Sequence, residues 1–195
     1  MEQDAIRVRK GATGDARQLA QVGAETFYDS YVDQMDADVL ATYVARSFAP
    51  DVQAAELADG ASSFLIAESV GAMLGYARLY QGQAPEAIAA GTAPDLQRAL
   101  AGQRALEIQR LYVRQPWIGR GVGAALMRAC LQEAQAQACD VLWLGVWERN
   151  TRAMRFYEKW GFETVGEQSF VLGAETHRDV LMRRFLISRS QFDKN

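Results

Sequence analysis

Apolar residues recur every three to four positions from Ala16 to Tyr31 (Leu19, Val22, Phe27, Tyr31) and again from Asp36 to Phe48 (Val39, Leu40, Tyr43, Val44). That spacing predicts two amphipathic helices. Before them, Ile6–Lys10 alternates as an opening strand does, followed by Gly11 and a helix cap at Thr13 or Asp15. A third, short helix is expected over Asp51–Leu57. Phe64–Glu68 and Leu74–Tyr80 then read as two strands of a hairpin, with Val70-Gly71-Ala72 as its turn. Residues 81–103 break the pattern with Gly82, Pro85, Gly91, Pro94 and Gly102, which reads as a surface excursion with a helical turn at Asp95–Leu100.

The second half is more strongly patterned. Leu106–Val113 reads as a strand, and a helix from Gly121 to about Ala138 carries Val122, Leu126, Met127, Cys130, Leu131 and Ala134 on a wide apolar arc. Val141–Trp147 is almost continuously apolar, as expected of a strand covered on both faces and paired in parallel. Asn150 caps a short helix with Ala153, Phe156, Tyr157 and Trp160 on one stripe, and Gly161 ends it. Phe162–Leu172 and His177–Leu186 read as two antiparallel closing strands, and the polar tail from Ser188 as frayed. The fold class is therefore α/β with a mixed sheet: a central βαβ unit, an antiparallel hairpin N-terminal to it, and antiparallel strands after it.

At 195 residues one domain is expected. Hydrophobic content of 49% and charged content of 23% are those of a globular protein. A net charge of −3 argues against nucleic acid as the main partner and is compatible with a cationic substrate. No apolar run reaches membrane-spanning length, and Cys130 and Cys139 have no signal peptide ahead of them, so a reduced, cytoplasmic setting is the default. No metal-ligand spacing stands out, His177 reads as a surface residue on a turn-like stretch, and a homodimer is one assembly the chain allows.

The chemistry gathers after the Leu106–Val113 strand, where Ile118-Gly119-Arg120-Gly121-Val122-Gly123-Ala124 precedes a helix. Glycines at every second position leave backbone N–H groups facing outward without a Cβ in the way, and the helix start adds unpaired N–H groups and the positive end of its dipole. This is an anion site, most naturally for phosphate. A P-loop requires Lys-Ser or Lys-Thr where Ala124-Ala125 stands. A dinucleotide fingerprint fits Gly119, Gly121 and Ala124, but its acidic partner, Asp140, precedes the next strand rather than following it.

The same residues resemble the Gln/Arg-x-x-Gly-x-Gly/Ala signature of the GNAT acetyltransferase superfamily, with Gly121 and Gly123 at the small positions and Ile118 in place of Gln or Arg. Arg114 or Arg120 would compensate for that change. Asn150-Thr151-Arg152-Ala153-Met154-Arg155-Phe156-Tyr157 through Gly161-Phe162 resembles the family's Asn-x-x-Ala-x-x-Phe-Tyr-x-x-x-Gly-Phe segment. The resemblance implies acetyl-CoA as cofactor. Its pantetheine arm would take backbone groups of Leu111, Tyr112 and Val113, and its diphosphate the loop of Gly119, Arg120, Gly121, Val122, Gly123 and Ala124. Asn150 and Ala153 would flank it, and Tyr157 would lie near the thioester sulfur.

An amine with a pKa near 10.4 is neutral in only about one molecule in 2,500 at pH 7, a deficit of roughly 4–5 kcal/mol. The enzyme implied must therefore help remove that proton, hold the tetrahedral oxyanion through a donor such as the Val113 N–H, and stabilise the leaving thiolate, to which Tyr157 can donate a hydrogen bond. Glu107 matches the glutamate some family members use as base, and it shares strand parity with Gln109, Leu111 and Val113. It is equally readable as a solvated or Arg110-paired strand residue. The acceptor implied is a primary amine on a small molecule. The wider pattern resembles bacterial spermidine/spermine N-acetyltransferases, and Glu25, Asp29, Asp33, Asp36 and Asp38 would suit a polyamine. Acetylation of a peptide or protein, or acyl-CoA binding without catalysis, are the alternatives.

Overall fold

The computed structural model describes residues 5–90, 104–172 and 175–186. The helical turn expected at Asp95–Leu100 and the tail from Ser188 lie outside the described residues.

The strands are β1 (Arg7–Lys10), β2 (Ser62–Ser69), β3 (Ala72–Tyr80), β4 (Ala105–Val113), β5 (Val141–Trp147), β6 (Glu163–Leu172) and β7 (Glu175–Phe185). They form a mixed sheet of order β1-β2-β3-β4-β5-β7-β6. The helices are α1 (Ala16–Tyr31), α2 (Ala37–Ser47), α3 (Pro50–Ala58), α4 (Glu86–Ala89), α5 (Val122–Ala136) and α6 (Thr151–Lys159). The bounds of α1 coincide with the periodic stretch in the sequence. The capping of α2 by Asp36 is explicit, its carboxylate accepting from the N–H of Asp38 and of Val39 at 2.9 and 3.2 Å. Asp15 stands at the N-cap position of α1 but does not cap it: it accepts two 2.8 Å bonds from Arg9 and a third from the Ala12 N–H.

Two compact units divide the chain, Met1–Leu79 with Arg110–Cys130, and Tyr80–Gln109 with Leu131–Asn195. The boundaries fall at the last residue of β3, within β4 and within α5. In the first unit β1 runs antiparallel to β2, and a two-residue turn, Val70 (φ 48°) and Gly71 (φ 75°), leads into β3. Leu19 and Val22 of α1 pack on Phe64, Ile66, Met73 and Tyr76 of the sheet, joined by Leu57 and Tyr112. Phe27, Leu40 and Phe48 form a second cluster with Tyr43 and Tyr112. Beneath it Glu56 binds two arginines, Arg78 at 2.6 Å and Arg110 at 2.6 and 2.9 Å.

In the second unit β4 pairs in parallel with β5, as the apolar run of β5 predicts. β7 pairs antiparallel with the whole of β5 through Asp179–Phe185 and antiparallel with β6 on its other side, with a bulge between Thr164 and Gly166. The excursion after β3 is not wholly solvent-directed: Ile88 of α4 is fully buried against Ala105, Val141, Trp143 and Leu181. Gly166 makes room for it, since a side chain there would meet Ala87 Cβ at 2.9 Å.

Candidate active site

The ladder between β4 and β5 covers three pairs, Ala105–Glu107 with Val141–Trp143. Both strands then continue, β4 to Val113 and β5 to Trp147. Within the first unit the end of β4 is held from behind. The Arg114 N–H donates to the Leu74 carbonyl at 2.9 Å, and Gly75 lets the Tyr112 carbonyl approach so closely that any side chain at 75 would collide with it. The Tyr112 ring turns into the core against Phe48 and Tyr76, and burial pushes its hydroxyl well above the ordinary tyrosine range. Its side chain is thus spent on packing, and only its backbone is available to a ligand.

After a 3-10 turn at Gln115–Trp117 the chain reaches Gly119 (φ 78°) and Gly121 (φ 89°), both in left-handed conformations that other residues enter at a cost. Helix α5 begins at Val122, whose side chain is fully buried and anchors the bend. The Ala125 N–H is bonded to the Gly121 carbonyl at 2.9 Å, so the helical rungs start there and the amides of Gly121–Ala124 have no carbonyl four residues back to pair with. Gly119, Arg120 and Gly121 are exposed, and the space a Cβ would occupy at Gly119 is open for 4 Å. These groups fit a diphosphate: unpaired amides, a helix start and room for close approach. Of the two arginines expected to replace the motif's first residue, Arg114 is held by Glu25 at 2.8 and 3.0 Å. Arg120 is exposed with its guanidinium 5.7 Å above the Trp117 ring.

In the second unit Glu107 is half-buried and stands opposite Trp143 on the ladder. Arg110 lies on the other pleat of β4 and binds Glu56. Asn150 caps α6, its Oδ1 accepting from the Ala153 N–H at 3.1 Å. Ala153 therefore has no amide to offer a ligand, and Asn150 has only the other end of its carboxamide. Tyr157 is buried on the inward stripe of α6, its ring edge-on to Phe156 at 5.4 Å and Phe162 at 5.8 Å.

His177 corrects the sequence reading. It lies within β7, not on a turn, and is half-buried, stacked on Phe170 at 5.3 Å and edge-on to Trp147 at 6.0 Å. Sequence reasoning also passed over Asp179, two residues along β7. Burial raises its carboxyl above the ordinary carboxylate range, while a hydrogen bond from Gln168 and the proximity of His177 act in the opposite direction. The available signal was Gly145, a lone glycine in an apolar strand, which marks close approach of other groups. A groove of about 620 Å³ lined by Lys159, Trp160, Glu163, Arg183 and Arg184 contains none of the residues expected from sequence. Among the described residues no helix is long and apolar enough to cross a membrane.

A short parallel ladder followed by a glycine bend at a helix start is a frame suited to a ligand that carries a diphosphate. Residues 24–162 match the model of the acetyltransferase (GNAT) family, and the chain belongs to that family. It is an acetyl-CoA-dependent N-acetyltransferase. It is 32% identical over 173 residues to an uncharacterized N-acetyltransferase of Mycobacterium tuberculosis, covering 89% of this chain and 99% of that one. A stretch of 64 residues, 32% of this chain and 42% of the relative, is 30% identical to the spermine/spermidine N(1)-acetyltransferase of Bacillus subtilis. Among solved structures it is similar to the PaiA N-acetyltransferase of Thermoplasma acidophilum in complex with coenzyme A. The TM-score is 0.71 at 17% identity, covering 93% of this chain and 99% of that one.

Proposed function

We propose that this enzyme transfers the acetyl group directly from acetyl-CoA to a primary amine of a small molecule, with polyamines as the first class to test. The observation that carries the reading is the run of β4 past the end of its ladder with β5, followed in the same segment by the open amides of the glycine bend. Backbone groups of Leu111, Tyr112 and Val113 hold the pantetheine arm, and Gly119–Ala124 hold the diphosphate, with Arg120 supplying the side-chain charge that Ile118 lacks. Bound acetyl-CoA supplies the thioester carbonyl that the amine attacks and the thiolate that leaves.

The remaining steps fall to the chain. The Val113 N–H donates to the carbonyl oxygen, where a preorganised donor gains most. The Tyr157 hydroxyl holds the proton destined for the sulfur. Phenol and thiol pKa values, near 10 and 8.5, make hydrogen bonding easy and full transfer slightly uphill until charge develops. Glu107, half-buried on β4, takes the amine proton, directly or through an ordered water.

The test is release of free thiol from acetyl-CoA with spermidine, spermine, amino acids, peptides and aminoglycosides. Tyr157→Phe should lower kcat by about a hundredfold or more while leaving the Kd for coenzyme A unchanged. Tight coenzyme A binding with no thiol release to any amine would replace this reading with that of a non-catalytic acyl-CoA-binding module.

A further inference from the structure

One face of the second unit's sheet carries a group of side chains that the transfer step does not use. Residues directly opposite on neighbouring strands share a face, so Trp143, Gly145 and Trp147 of β5 lie with Arg183, Leu181 and Asp179 of β7. The β6 ladder adds Gln168 opposite Asp179 and Phe170 opposite His177. At one end this face is closed. Ile88 of α4 packs on Trp143 and Leu181, and Arg183 donates to the carbonyls of Ile88 and Ala90 at 2.7 and 2.8 Å and to Glu163 at 3.0 Å.

The other end is built differently. Gly145 has no side chain, and a Cβ there would lie 3.1 Å from Gln168 Nε2 and 3.2 Å from Asp179 Oδ2. The amide and the carboxylate therefore lean over the glycine, with Gln168 donating to Asp179. Trp147, His177 and Phe170 form a connected aromatic set beside them. The nearby arginines are engaged elsewhere. Arg178 pairs with Glu148 at 2.8 Å and Glu167 at 3.3 Å, Arg183 serves α4, and Arg149 lies 5.7 Å above the Trp147 ring. Among the described residues no arginine or lysine forms an ion pair with Asp179. A half-buried carboxylate oriented by an amide and bordered by aromatic rings is a receptor for an organic cation.

We propose that Asp179, held by Gln168 over Gly145 and bordered by Trp147, His177 and Phe170, binds a protonated nitrogen of the acceptor other than the one acetylated. The inference rests on the amine-acetyltransferase reading and narrows it. The nitrogen that attacks must be neutral, whereas a carboxylate stabilises the ammonium form, so the nitrogen held here is not the reacting one. The acceptor therefore carries at least two amines, and a monoamine of similar bulk lacks the group this site recognises. Burial raises the Asp179 carboxyl even with Gln168 and His177 beside it, so a further cationic partner offsets a cost those two leave in place.

Two measurements test this. Spermidine is titrated calorimetrically into the coenzyme A complex of the wild type, Asp179→Asn and Gly145→Ala. KM is then compared for spermidine and for n-butylamine. The wild type should bind spermidine. Asp179→Asn should weaken that binding about tenfold or more and erase any KM preference for spermidine over n-butylamine, leaving coenzyme A affinity unchanged. Gly145→Ala, which pushes the carboxylate and amide aside without removing them, should weaken it in the same direction and serves as the second variant should Asp179→Asn not fold. Spermidine binding equal in wild type and Asp179→Asn, or no spermidine binding by the wild type, would overturn the inference. Binding is read without turnover, so an absence of thiol release would count against the catalytic reading alone.

Discussion

Glu56 offers a quantitative test of how the cofactor strand is held. Its carboxylate is shared by two arginines, Arg78 on β3 and Arg110 on β4, and all three side chains are at most 15% exposed. Glu56→Ala would leave two guanidinium groups that cannot release their protons. Removing one partner of a buried ion pair costs about 3–5 kcal/mol. The lower end applies here, because partial substitutes remain: Ser62 Oγ within 3.0 Å of Arg78, Gln53 Oε1 within 3.3 Å of Arg110, and the Phe48 ring 5.2 Å from the Arg110 guanidinium. A loss of about 3 kcal/mol from a typical 5–15 kcal/mol corresponds to a fall in Tm of roughly 6–12 °C for a chain of this size. Because Arg110 directly precedes Leu111, coenzyme A affinity should fall as well. Calorimetric melting gives the first quantity and titration of coenzyme A the second. A Glu56→Ala protein melting within about 2 °C of the wild type would refute the argument that these arginines depend on it.

Two further predictions concern the glycine bend and the N-terminal strand. Gly121→Ala places a side chain at φ 89°, which should cost about 1–3 kcal/mol and weaken coenzyme A binding; unchanged affinity in titration would remove Gly121 from the cradle. Arg9 holds the Asp15 carboxyl below its ordinary range, so the pair's contribution is complete above about pH 3.9 and is lost as pH falls through the lower, folded-state pKa. The Tm difference between wild type and Asp15→Asn should therefore shrink on acidification below pH 4, and a difference independent of pH would contradict it.

What could be read from the chain alone follows the range of the interactions involved. Helix α1 and strand β5 were legible to the residue because burial imprints a local period, of 3.6 in one and an unbroken apolar run in the other. The glycine bend and the Asn150–Phe162 segment were legible because each compresses its chemistry into about a dozen consecutive residues. The Asp179 cluster was not. It depends on the register of β5, β7 and β6, which sets Gln168 opposite Asp179 and Trp147 on the same face, and no local period records which residue faces which across strands. The Glu56–Arg78–Arg110 set is hidden for the same reason, its members being up to 54 positions apart. Residues 84–90 were mistaken for pure excursion because a four-residue helix is too short to show a period, although Ile88 is among the most buried side chains.

The division of the chain within β4 and α5 bears on how the protein is made. The first 79 residues leave the ribosome with three strands and three helices of their unit, but the strand end and helix that complete it lie at 110–130. About fifty more residues must be synthesised first, an interval of roughly 3–10 seconds at 5–20 residues per second. Throughout that wait β3 has no neighbour on the side where β4 will pair, and the nascent chain is a bare sheet margin in a crowded cell, the condition in which a trigger-type chaperone has the most to protect.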